Sequence, residues 1–202
     1  MFIAFEGVEG SGKSTQLERL RAELERLGRP TVVAREPGGT AVGERIRRLL
    51  LDPDVRPLDP HAEALLFAAA RAQLVTDVIR PALQRGQDVL CDRYVHSSLA
   101  YQGVARALGE EGIVAVNRWA TGGLWPDLVV LLQLDPKLGL DRVDRADRFE
   151  NEDLEFHEAV GRAYQQLAAR DPERFLVVDA SGSASDVAAS VLAAVLSRLG
   201  SA

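Results

Sequence analysis

A single cysteine, Cys91, occurs in 202 residues, which excludes an internal disulfide and suits a reducing compartment. It lies in the apolar run Val89-Leu90-Cys91, where a small buried strand residue is the expected role. Long apolar runs are missing too: Leu128–Leu134 falls far short of the roughly 20 residues a membrane-spanning helix needs, so no membrane role is expected. There is no positive excess. Lys and Arg number 24 against 30 Asp and Glu, a balance that argues against non-specific nucleic-acid binding but leaves room for a local basic cluster that holds phosphates. The three histidines, His61, His96 and His157, show neither metal-ligand spacing nor a nucleophile partner, so surface or packing roles are expected. No basic leader precedes the strand-like Met1–Glu6, and the expected location is the cytoplasm. Repeats and low-complexity tracts are absent as well.

What is present is an alternation. Short apolar runs at Phe2–Phe5, Thr31–Ala34, Val89–Cys91, Leu128–Leu134 and Phe175–Val178 are separated by longer stretches of helical periodicity, the signature of an α/β fold. Leu17, Leu20, Leu24 and Leu27 recur at helical spacing with charge on the other faces, and Gly28 is a stop signal. Further helices are predicted at 41–51, 61–80, 96–107, 110–121, 136–144, 152–170 and 184–199, with Pro81 ending the second of these. Apolar strands each followed by a crossover helix predict a five-stranded parallel sheet flanked by helices on both faces, a three-layer arrangement. With 47% hydrophobic residues, the chain is read as one domain, 1–202.

The strongest local signal is Gly7-Val8-Glu9-Gly10-Ser11-Gly12-Lys13-Ser14, followed by Thr15. It satisfies G-x-x-x-x-G-K-[ST] between a strand and an amphipathic helix, the setting in which the pattern forms a P-loop. Glycines let such a loop curl with its backbone N–H groups inward, and the helix start favours anionic phosphate. Lys13 is then placed for the β- and γ-phosphates and the Ser14 hydroxyl for magnesium. Asp92, at the end of the third predicted strand, is the second candidate for organising magnesium, directly or through water. A P-loop alone leaves GTPase, ATPase and small-molecule kinase open. The Asn-Lys-x-Asp pattern of switch GTPases is absent.

Four further segments narrow the choice: Arg35-Glu36-Pro37-Gly38-Gly39-Thr40, Leu66-Phe67-Ala68-Ala69-Ala70-Arg71, Asp92-Arg93-Tyr94, and Ser97-Ser98-Leu99-Ala100-Tyr101-Gln102-Gly103. Together with the P-loop, and in this order, they resemble the thymidylate kinase family of P-loop nucleoside monophosphate kinases, bacterial type, from the first strand through Tyr164. The resemblance implies ATP-dependent phosphorylation of dTMP to dTDP, with magnesium, in a homodimer. It makes Arg35 and Pro37 part of the monophosphate site and lets Arg47 hold the acceptor phosphate, with Arg45 and Arg48 as competing placements. It assigns Phe67 to stacking on thymine and Arg71 to its exocyclic oxygen. It has Arg93 bridge both nucleotides' phosphates, Ser98 and Gln102 approach the base, Tyr101 pack under the deoxyribose, and Glu9 lie near a sugar hydroxyl.

The resemblance also places a short lid over ATP near 142–150. No arginine lies between Gly7 and Lys13, the condition under which bacterial members bring a catalytic arginine from the lid. Arg142, Arg145 and Arg148 recur at intervals of three and would share a face of one helical turn. Asp147 is placed to restrain Arg148, so Arg142 and Arg145 are the preferred candidates. The family's usual bacterial lid is a few residues longer, and the choice between the two stays open.

Overall fold

The structure, a computed structural model, describes residues 1–55, 57–143 and 147–199. Five strands, β1 (Phe2–Glu6), β2 (Thr31–Arg35), β3 (Asp88–Asp92), β4 (Leu128–Gln133) and β5 (Phe175–Asp179), form one parallel sheet in the order β2-β3-β1-β4-β5. Phe2 to Phe5, Val89 to Cys91 and Leu128 to Leu132 are all buried, because helices cover both faces of the central strands and leave no reason for polar alternation. The predicted α/β architecture, with its five parallel strands, is the one observed.

The helices are α1 (Lys13–Arg26), α2 (Ala41–Leu51), α3 (Pro60–Leu74), α4 (Arg80–Gln84), α5 (Val95–Ser98), α6 (Glu110–Thr121), α7 (Pro136–Leu140), α8 (Leu154–Arg170) and α9 (Ala184–Leu199). Leu17, Leu20 and Leu24 turn inward from α1, which packs beside α9. On the other side of the fold from α9, α3 packs against both α2 and α6. The strand order reverses at β1: the chain leaves β1 for one side of the sheet and β3 for the other, which opens a crevice at the carboxyl ends where ligands bind in such sheets.

Three predicted helices differ from expectation. The helix predicted to stop at Pro81 instead runs through a π-helical turn, Val75–Ile79, and on to Gln84. Arg80 N–H donates to Val75 O, five residues back, and Pro81 follows directly after this widened turn, in the first residues of α4. The stretch 96–107 is α5 followed by a second π-helical segment, Leu99–Ala105. The helix predicted over 136–144 ends at Leu140.

Candidate active site

Between β1 and α1 the loop Gly7–Gly12 wraps the Lys13 amine. Nζ donates to Val8 O at 2.8 Å, Gly7 O at 3.2 Å and Ser11 Oγ at 3.3 Å. Burial, and then the nearby Arg93 cation, push the amine down to about 8, against the pull of Glu9 and Asp92. Gly10 has φ +66°, and a Cβ there would stand 2.1 Å from Gly139 O of α7, so this position takes only glycine. Beyond the lysine, Ser14 Oγ donates to Asp92 Oδ2 at 2.6 Å. Thr15 is exposed on the next position of α1.

Beside the loop lies a cavity of about 300 Å³. The loop side contributes Glu9 and Lys13, and the end of β2 contributes Arg35 and Pro37. From α2 and α3 come Arg47, Phe67 and Arg71, and the chain after β3 adds Arg93, Ser98, Tyr101 and Gln102. The preferred acceptor candidates therefore converge on one space, which Arg45 and Arg48 do not line. Arg47 Nη1 donates to Pro37 O at 2.8 Å, while Arg45 and Arg48 are exposed. Arg35 pairs with Glu44 at 3.0 Å on the surface.

Arg93 occupies the join between loop and cavity. Its φ is +66°, a left-handed conformation that costs a non-glycine residue about 1–3 kcal/mol and is sustained by surrounding contacts. Nη1 donates to Gly7 O at 3.0 Å, Nη2 pairs with Glu9 Oε1 at 3.0 Å, and the guanidinium lies 5.1 Å from the Tyr101 ring centroid. Burial alone would raise Glu9, but Arg93, Lys13 and the hydrogen bond from Tyr101 hold it below the usual carboxylate value.

Several residues organise this site through partners that their motifs do not reveal. Glu6, fully buried, accepts from the N–H groups of Tyr94 and Ser97 and from the hydroxyls of Ser97 and Tyr164. Burial raises its pKa, with these bonds opposing. Glu6 directly precedes the phosphate-loop pattern in the sequence, which gave it no role of its own. Arg71, 1% exposed, gives Nε to Glu36 Oε2 at 2.7 Å, Nη1 to Ser98 Oγ at 3.0 Å and to Asn117 Oδ1, and Nη2 to Tyr94 O at 3.1 Å and to Glu36. Burial outweighs this pairing at Glu36, whose carboxyl is pushed up to about 7, and Oε1 of Glu36 has no protein partner. Nothing in the sequence marks Asn117, which comes from α6.

The lid arginines separate. Arg142 is exposed and its Nη1 donates to Gly10 O at 3.4 Å. Arg145 lies outside the described residues. Arg148 is not restrained by Asp147: it is buried, donating Nε to Leu50 O at 2.9 Å and pairing Nη1 with Glu63 Oε2 at 2.7 Å. Asp147 instead accepts from the N–H groups of Phe149 and Glu150. Arg142 is exposed and Arg148 buried, and both lie in turns rather than in a helix, so they do not share a helical face. His61 is exposed, His157 is buried, and His96 stacks edge-on to Trp125 and Phe175, where burial pushes it down to about 3.

A parallel sheet with a lysine-filled phosphate loop at its switch point, and a second cation-lined cavity joined to it by Arg93, defines a P-loop nucleotide-binding protein of the type that handles two ligands. The family model described as thymidylate kinase matches residues 5–191. The chain is 50% identical to the thymidylate kinase of Deinococcus radiodurans, covering 98% of this chain and 97% of that one. It is 54% identical to that of Pelotomaculum thermopropionicum, covering 89% and 85%. A crystal structure of thymidylate kinase from Ehrlichia chaffeensis superposes with a TM-score of 0.82 at 29% identity, covering 96% of this chain and 98% of that one. The chain belongs to the thymidylate kinase family.

Proposed function

We propose that the protein transfers the terminal phosphoryl group of ATP to dTMP, giving dTDP and ADP, in a single domain that carries both nucleotide sites. The observation that carries this reading is the span of Arg93 from the Gly7 carbonyl of the phosphate loop to Glu9 and Tyr101 in the adjoining cavity. One guanidinium thereby serves the phosphates of both nucleotides. The loop N–H groups and Lys13 take the ATP phosphates, and the lysine exchanges its carbonyl partners for phosphate oxygens. Arg47 and Arg35 take the acceptor phosphate, Phe67 stacks on the base, and Arg71 with Ser98 and Gln102 reads its polar edge. Glu9 and Tyr101 meet the sugar.

A phosphate oxygen of dTMP attacks the γ-phosphorus of ATP. The new P–O bond forms as the bond to the β-phosphate oxygen breaks, and no covalent enzyme intermediate is needed. The acceptor is already an anion, so catalysis consists of alignment and charge stabilisation by Lys13, Arg93 and a lid arginine, Arg142 or Arg145. The Ser14 hydroxyl and Asp92 carboxylate meet at 2.6 Å, the hard oxygen donors that magnesium takes alongside phosphates, and we assign them to that ion. When bound, magnesium neutralises charge on the phosphates.

A homodimer belongs to the same reading. The exposed Val42, Leu49 and Leu65 on α2 and α3 offer apolar surface for it, and sedimentation at several concentrations tests it. The reaction is tested by incubating the protein with ATP, magnesium and dTMP, dUMP, CMP or GMP in parallel and detecting each diphosphate. Preferential formation of dTDP is expected. Another preferred acceptor, or ATP binding without transfer, rejects the reading.

A further inference from the structure

The carboxyl-terminal end of the lid segment reaches the acceptor side of the site. Phe149 is buried and lines the cavity. Its ring stands 5.7 Å from that of Phe67, tilted by 59°, and 5.9 Å edge-on from that of Tyr101. Arg148 anchors it: the guanidinium lies 4.6 Å from the Phe149 centroid while bound to Leu50 O of α2 and Glu63 of α3. The other oxygen of Glu63 accepts from Gln102 Nε2 at 2.7 Å. One buried carboxylate thus ties the lid's end to a residue that faces the acceptor base.

The ring spacing decides what Phe149 does. A planar base sandwiched between two rings needs two stacked contacts of about 3.5 Å each, or about 7 Å in all. At 5.7 Å, with the rings tilted, no base fits between Phe67 and Phe149. Phe149 therefore supports the far side of Phe67 and the edge of Tyr101, fixing the angles at which those two rings are presented. We propose that Phe149 is a positioning residue of the acceptor site, held by Arg148 and Glu63 and acting through Phe67 and Tyr101. This rests on the reading above that Phe67 and Tyr101 meet dTMP.

The test compares KM for dTMP and for ATP in the wild type and in Phe149→Leu, Phe149→Ala and Phe149→Tyr, with a thermal melt of each. Leucine keeps apolar volume and removes the plane, so KM for dTMP is expected to rise about fivefold or more, with KM for ATP moving less than about twofold. Tyrosine restores the ring and is expected to recover most of the loss. If the alanine variant melts below the assay temperature, the leucine and tyrosine pair decides. Folded variants with an unchanged dTMP KM, or with both KM values raised alike, overturn the inference and leave Phe149 a packing residue. A wild type that fails to phosphorylate dTMP overturns the functional reading, and this inference with it.

Discussion

Replacing Glu36 by glutamine removes a titration while keeping an oxygen that accepts from Arg71. In the fold, burial pushes this carboxyl from its ordinary 4.5 up to about 7 despite the guanidinium beside it. Between those two pH values the folded state keeps a proton that the unfolded chain has already released. The stability contributed by the group is therefore full below about 4.5 and is lost as pH rises to about 7. At about 1.4 kcal/mol per pH unit the loss is on the order of a few kcal/mol, or on the order of ten degrees in Tm for a chain of this size. Asp88, lowered, is common to both proteins and cancels in the difference, while Glu6, also raised, faces the charge of Glu36 and is relieved of it in the variant. Thermal unfolding followed by circular dichroism from pH 4.5 to 8 reads that difference directly. The variant is expected to gain on the wild type steadily across this window. It is also expected to bind dTMP more weakly above about pH 7, where the wild type sets a carboxylate charge against Arg71 and the variant does not. A flat difference, or one that favours the wild type as pH rises, would mean that Arg71 holds the carboxyl ionised throughout, and the reasoning from burial fails.

Lys13→Ala is expected to lower turnover by on the order of 10²-fold or more with Tm unchanged or higher, since a buried amine pushed down to about 8 is not a source of stability; steady-state kinetics and a melt check both. Among the lid arginines, Arg142→Ala or Arg145→Ala is expected to cost on the order of 10³-fold in turnover with a much smaller change in ATP affinity. Near-wild-type turnover in both would move the transition-state charge elsewhere.

The parts of the fold carried by local pattern were legible. Gly7–Ser14 between an apolar strand and the leucine-striped α1 is visible within 30 residues of sequence, and each acceptor motif falls at a strand end or on one helix face. The π-helical turn before Pro81 was not legible, because proline reads as a stop unless the turn before it widens. The buried polar partners were hidden for a different reason: Glu36 and Asn117 reach Arg71 across 35 and 46 residues, and Arg148 reaches Glu63 across 85. A periodicity window sees none of these pairings. The regular spacing of Arg142, Arg145 and Arg148 was misleading for the same reason, since what directs Arg148 inward is a carboxylate on another helix.

The depressed amine of Lys13 has a consequence for proton exchange with the medium. Bringing a polyphosphate anion against it favours the ammonium, so near pH 8 nucleotide binding takes up protons from the buffer. The heat of ATP binding then depends on the ionisation enthalpy of that buffer, and affinity weakens as pH rises past about 8. Lys137, the other lysine of the chain, is exposed on α7, which leaves the phosphate loop as the source of any such lysine-linked proton uptake.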